Sequence, residues 1–593
     1  MNRLSNHKGL FFWPAVYAVL FAFLQTYSEF HFYFVEQNQL FQNIRPYVME
    51  HLCQPGGAAL ILSEFLTQFF LLPYAGAGIT AALLVGAGWL AYGIVKQIAP
   101  QANLLIACLL PVVSLMFAHF DFNYPAYGTV AFLMAETTFF FVMKIKNNNG
   151  RFAVHLAAIP LLFCLAGPVF LLYALLALLL LDKKEKNKSV LPSVLLWAGV
   201  GIEALLTGIL SVYFALYGEY RHAFLPDGYY HPNLAPRHVI YFSWYSLMLL
   251  LVLARILRRK PEKKKKRPWL EMALQTVLIA ALCRWGVSEY GDKKLYRIKE
   301  LDYYCRTEQW DMILTRCEGT LTNYLYILYA NLALLQKGEL GDRMFAYDQR
   351  GPQGLLVDWN KTASISILLS DVYFAIHATS LSQEMAFQAY MSTIGEGNPR
   401  MLKRLVQTNL VYGAYPVAEK YIAILEHTYG YSDWAKAQRR FLYNDTEVEN
   451  DPLLGNKRRC LATNASLSLI DGLDADLQRI AVAHPADRTA ITYAGAFYLA
   501  EKNPEGFQAL IEKYYATPVL PTLPIAFQEA IIILSEKDPD YWQRFGVSDA
   551  VAERFAQYKR QVVEGNRSGN ANALPSLMRR AYGDTYWFYY MFK

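Results

Sequence analysis

The sequence predicts an all-α chain in two parts: a polytopic transmembrane helical domain over residues 1–287, then a soluble α-solenoid of tetratricopeptide-like type over 288–593. Three observations carry this. Long apolar runs dominate up to about Val287 and then stop. Lysine and arginine crowd every second gap between those runs. Beyond Val287 apolar residues recur at three- and four-residue steps, with few strand-like alternations.

The cations set the orientation. Lys144, Lys146 and Arg151 fill one gap, and Lys183, Lys184, Lys186 and Lys188 a second. Arg255, Arg258, Arg259, Lys260 and the run Lys263 to Arg267 fill a third. The intervening gaps are nearly free of cations: His119 to Asn123 has none, and Tyr217 to His238 only Arg221 and Arg237. Short basic loops stay on the cytoplasmic side. The expected topology is therefore a multi-pass protein of a bacterial inner membrane, with a cytoplasmic N-terminus and a periplasmic second half. The formal net charge of +7 belongs mainly to those loops, where it can touch anionic lipid. With no basic stripe interleaved with aromatics, nucleic acid is excluded as a partner.

The elements follow in order. Leu10 to Phe30 reads as a retained first span, since its apolar stretch runs on without a small-residue cleavage site. Ala58 to Leu72 is apolar but short of the roughly 17–25 residues a crossing needs; it is expected to lie in the outer interface, a full crossing being the alternative. Ala75–Val95 and Ala102–Ala118 are expected spans, joined to Pro125–Met143 by the outer turn His119 to Asn123. Phe152 to Leu181 is one apolar run with cations at both ends, so two short helices turning at Ala166-Gly167-Pro168 satisfy the charge rule. Val190–Leu216, Val239–Leu257 and Trp269–Val287 complete about seven crossings.

In the second half, Trp310–Leu314 with Leu321–Leu335, Met401–His427 and Tyr493–Tyr515 read as helix pairs, loosely like tetratricopeptide repeats. The aromatic C-terminus from Tyr586 to Phe592 is expected to pack on the solenoid or the membrane surface. Cys305 and Cys317 could pair across a helical hairpin; unpaired buried thiols are the alternative.

No phosphate loop, nucleophile elbow or paired-His zinc helix is present. What remains is a set of polar groups on the predicted outer face. Glu29 and Glu36 flank the exit of the first span, and Asp121 sits in the next outer turn. Carboxylates there could act as a base or hold a divalent ion, Mg or Mn, with Glu36 and Asp121 as ligands. Arg45, Arg221, Arg237, His51 and His231 are the outer cations or near-cations, and arginines could hold a diphosphate. Interfacial groups meeting headgroups and water are the competing explanation. Glu136 and Glu203 lie within predicted spans, where an acid lining a cavity would point to a transporter.

An acid after the first span (Glu36 or Glu29), an interfacial helix (58–72) and an acid in the second outer loop (Asp121) together resemble the GT-C glycosyltransferases. The resemblance covers roughly residues 10–287 and is one of layout; Glu stands where Asp is common, and no Asp-x-Asp pair lies near Asp121. It implies a polyprenyl-phosphate-linked sugar as donor, Glu36 and Asp121 as catalytic acids, and a periplasmic acceptor, such as a protein held by the repeat domain. Glu36 to Phe41 with Gln54-Pro55-Gly56-Gly57 also resembles a family of Bacteroidota membrane proteins, a likeness that carries a lineage and no activity. The rival expectation is a non-enzymatic envelope scaffold whose solenoid recruits partner proteins.

Overall fold

A computed structural model describes residues 2–179, 190–230, 236–258, 268–393, 397–461, 473–536, 538–567 and 574–593. The described chain is all-helical. It divides into two compact units: Met1–Tyr296 with Ile394–Gly397 and His427–Ser432, and Arg297–Thr393 with Asn398–Glu426 and Asp433–Lys593. The expected boundary at 287 thus falls nine residues later, at 296. His231, the lysines at 183–188 and the basic run 259–267 lie outside the described residues.

The first unit contains α1 (Asn2–Glu36), α2 (Arg45–Leu52), α3 (Gly57–Thr67), α4 (Ala75–Ile98), α5 (Leu109–Ala118) and α6 (Tyr127–Val142). It continues through α7 (Asn148–Ala166), α8 (Val169–Leu179), α9 (Val190–Tyr213), α10 (Tyr220–Phe224), α11 (Tyr241–Arg258) and α12 (Pro268–Tyr290). Among the described residues, five stretches are long and apolar enough to cross a membrane: Phe11–Glu36, Ala75–Ile98, Asn149–Ala166, His238–Arg258 and Trp269–Tyr290. At 35 residues, α1 spans about 52 Å, well beyond a hydrocarbon core of about 30 Å. Small residues let helices approach closely: Ala77, Ala81, Ala87 and Ala91 of α4 are at most 1% exposed, and α4 packs on α1 and α6.

Two expectations for the apolar runs meet different outcomes. Residues 152–181 break at Gly167, whose φ of +71 ends α7, and α8 packs back on α7. Residues 102–118 form only the ten-residue α5. The cause is Gln275 of α12. Its amide oxygen accepts from the Ala107 backbone N–H (3.0 Å) and its amide nitrogen donates to the Asn103 carbonyl (2.8 Å). Those bonds replace the helical ladder over 103–107.

In the second unit consecutive helices pack on one another, for example Ala363–Ala375 on Thr379–Met391, and that on Pro399–Val411. Polar side chains define several starts: Asn398, Asn503 and Asp538 accept from backbone N–H groups at helix N-termini. The aromatic C-terminus forms a helix, Tyr586–Phe592. Trp587 is fully buried with Phe555, Tyr558 and Tyr582, so the segment packs within this unit. Cys305 and Cys317 are free thiols rather than a disulfide. Cys317 Sγ instead donates to the Tyr326 carbonyl at 3.3 Å.

Candidate functional site

Two of the sequence-predicted acids, Asp121 and Glu36, lie at one end of the first unit, each against a tyrosine. Asp121 follows α5 in a tight turn, where its Oδ1 accepts the Asn123 backbone N–H at 3.1 Å. Its Oδ2 accepts from the Tyr230 hydroxyl at 3.0 Å, and Asp121 is 4% exposed. The Tyr230 ring stacks near Tyr124 (5.9 Å), whose hydroxyl meets Thr129, as does His119 Nε2. Burial and the charge of Asp121 push the Tyr230 hydroxyl well above its ordinary range, so it remains a donor. Arg237 is exposed but close enough to Tyr230 for its charge to be felt there.

Glu36 ends α1 and is 3% exposed. Its Oε1 accepts from the Tyr431 hydroxyl at 2.8 Å. Tyr431 belongs to the His427–Ser432 segment of the same unit. That segment is held by the Asn43 N–H on the His427 carbonyl (2.9 Å) and by Phe69 against Tyr429 (5.1 Å). Glu29 is half-buried on α1, two turns before Glu36.

Two further buried acids were not singled out from the sequence as site residues. Glu64 of α3 lies 2.7 Å from the Tyr47 hydroxyl. Asp227, 1% exposed, meets Arg221 Nε at 2.5 Å and the Tyr241 hydroxyl. Arg221, expected to hold phosphate, is therefore already engaged. A signal was present: Asp227 lies six residues after Arg221 in a Pro-Asp-Gly turn. His51 is buried, its ring 4.1 Å from Tyr47 and its Nδ1 2.7 Å from the Tyr47 carbonyl. Arg45 is exposed at the first turn of α2.

These pieces share one end of the unit. Phe34 near Glu36 lies 6.2 Å from Phe122 beside Asp121. Tyr229 bridges the α7–α8 break, donating to the Ala166 carbonyl and accepting the Val169 N–H, both at 2.9 Å. Consecutive tyrosines thus pin two different turns, Tyr229 at Ala166–Val169 and Tyr230 at Asp121. The N–H of Gly56 reaches the carbonyls of Phe163 (3.1 Å) and Cys164 (2.9 Å). A Cβ at Gly56, where φ is +80, would lie 1.7 Å from the Tyr127 hydroxyl, so only glycine permits this approach.

The other ends of α4, α6, α7, α8 and α11 surround a cavity of about 400 Å³ lined by Gln97, Arg151, His155, Arg255 and Arg258 among others. Arg151, Arg255 and Arg258 therefore gather at this cavity, which none of the acids described above lines. Glu136 is fully buried in α6, with neither carboxyl oxygen hydrogen-bonded, and does not line that cavity. Among the described residues neither Glu36 nor Asp121 belongs to a group of three or more close metal-ligating side chains.

The chain belongs to DUF6057, a family of unknown function whose sequence profile matches residues 5–593. No curated protein and no solved structure matches it.

Proposed function

We propose that this DUF6057 member is a bacterial inner-membrane transferase, with GT-C-like layout, that moves a sugar or oligosaccharide from a polyprenyl-phosphate carrier to a periplasmic acceptor. One observation carries the reading. Glu36, Glu64, Asp121 and Asp227 are each at most 4% exposed, each lies against a tyrosine hydroxyl, and all stand apart from the arginine-lined cavity. Burying carboxylates in a membrane protein is costly and usually marks function.

In this reading Asp121, oriented by Tyr230 and the Asn123 N–H, takes the acceptor proton. Glu36 is the second acid, able to share a Mg or Mn ion with Asp121. Arg237 and Arg45 remain exposed for a phosphate, whereas Arg221 braces Asp227. The paired helices of the second unit, read as a tetratricopeptide-like solenoid, would hold the acceptor. The test is transfer from a labelled polyprenyl-phosphate sugar in membranes carrying Asp121→Asn or Glu36→Gln at normal protein level. A fall of at least about 100-fold is expected, on the scale of a general acid–base contribution; wild-type transfer would eliminate the mechanism. A C-terminal reporter that behaves as cytosolic would reverse the sidedness.

The scaffold reading is favoured by exposed apolar side chains on the paired helices, Phe387 and Met391. Capture of defined envelope proteins by the full-length chain, lost in Phe387→Ser/Met391→Ser with the outer acids dispensable, would select it.

A further inference from the structure

Beyond the membrane unit, the second unit brings together three side chains of different chemistry from distant points in the chain. His377 sits in the turn between Ala363–Ala375 and Thr379–Met391. Cys460 caps the C-terminus of Pro452–Arg459. Asp487 lies in the connection between Leu473–Ala483 and Thr489–Glu501. One donor atom from each lies within 4.8 Å of the other two. His377 and Cys460 are 5% and 1% exposed.

The surroundings position these atoms. His377 adopts φ +66, a left-handed conformation rare for a side-chain-bearing residue. Bonds from Ala378 N–H to the Tyr373 carbonyl (2.9 Å) and from Thr379 N–H to the His377 carbonyl (2.8 Å) hold that turn. The Asp487 carboxylate is oriented by the Thr489 N–H (2.8 Å) and by Asn456 Nδ2 (3.2 Å). Such outer bonds aim ligands at an ion. His377 Nε2 lies 3.1 Å from Asp487 Oδ2, while its Nδ1 is buried with no hydrogen-bond partner. His484, in the same turn as Asp487, is close enough to oppose protonation of His377.

We infer that His377, Cys460 and Asp487 form a binding site for a zinc-class divalent ion, the fourth position being open to water or to His484 of the Asp487 turn. One imidazole, one thiolate and one carboxylate suit Zn²⁺ in tetrahedral geometry. Ligand bonds of about 2.0–2.3 Å require the three donors to close inward by about 1 Å. On binding, the Cys460 thiol proton leaves to solvent and the thiolate, the carboxylate and a neutral imidazole take the ion. A bound metal deprotonates a coordinating thiol outright. Lys457 is the nearby cation that would repel the ion. Its ammonium is held on the Phe374 and Ala375 carbonyls.

The probe is Co²⁺ added to the purified full-length protein in detergent after chelator treatment. One ion per chain should bind, with a thiolate-to-cobalt charge-transfer band that Zn²⁺ abolishes. Cys460→Ser should remove the band, and Asp487→Asn should weaken binding by at least about tenfold. Cys317→Ser, at another buried thiol, should leave both unchanged. Asp487→Asn, nearly isosteric, is read if Cys460→Ser does not fold. Absence of the band in the unaltered protein, its persistence in Cys460→Ser, or unchanged affinity in Asp487→Asn overturns the site.

Discussion

The two units treat buried acids differently. In the first unit, Asp121, Glu36 and Glu64 meet tyrosine hydroxyls, and Asp227 meets both the Tyr241 hydroxyl and Arg221. In the second unit, Asp302 and Asp371 meet guanidinium groups: Arg400 reaches Asp302 at 2.8 Å and Asp371 at 2.6 Å, and Arg404 reaches Asp371 at 2.9 Å. Asp348 likewise meets Arg350 and Lys593. A carboxylate neutralised by arginine is committed to holding helices together. At Asp121 the partners are a tyrosine hydroxyl and a backbone N–H, so that carboxylate is held without a bonded cation among the described residues. This difference favours the acid–tyrosine end for chemistry and the arginine-bound acids for architecture.

The comparison can be broken most sharply at Glu529, a buried acid of the second unit whose carboxyl accepts from the Tyr586 backbone N–H rather than from a cation. Burial raises its pKa from 4.5 to about 8. The folded state therefore favours the protonated form, and the stabilisation is complete below about 4.5 and lost as pH rises through about 8. The full difference is on the order of 5 kcal/mol. Thermal unfolding between pH 5 and 9 should show the second unit weakening toward alkaline pH, and Glu529→Gln should flatten that profile; an unchanged slope in the variant would show that another group causes it.

Next in size is Arg400→Met. It takes the Arg400 cation from Asp302, which keeps the Tyr329 hydroxyl at 3.4 Å, and leaves Asp371 with Arg404, at a cost of about 3–5 kcal/mol, read as a lowered unfolding temperature. A change within about 0.5 kcal/mol would remove the architectural role assigned to the pair. Tyr230→Phe should cost only about 1–2 kcal/mol, because Asp121 keeps the Asn123 N–H, yet transfer should fall with it. If stability drops and transfer does not, the hydroxyl serves packing alone. Arg45→Ala should be smallest, within about 0.5 kcal/mol for stability because its side chain is exposed. Any loss of transfer would then report on a ligand.

Local chemistry carried part of this architecture into the sequence. Gly167-Pro168 within an apolar run flanked by cations marked a real break. The same hydropathy overextended α5, because apolarity says nothing about Gln275 arriving from α12 to bond residues 103 and 107. The acids Glu36 and Asp121 could be found as isolated carboxylates in apolar surroundings. Their partners could not, since Tyr230 and Tyr431 stand 109 and 395 residues away. Arg221 looked free for phosphate only because Asp227 was not weighed beside it.

The distance from Glu36 to Tyr431 also has a meaning in time. The chain emerges from the ribosome at about 5–20 residues per second, so the 395 intervening residues take about 20–80 s to synthesise. Throughout that interval the first helix is made and its terminal carboxylate still awaits this tyrosine. A nascent chain interrupted before residue 431 would contain all five long apolar helices found among the described residues and still lack this closing bond. Completing the acid–tyrosine end therefore depends on a short segment encoded late in the sequence, His427–Ser432, that joins the first unit.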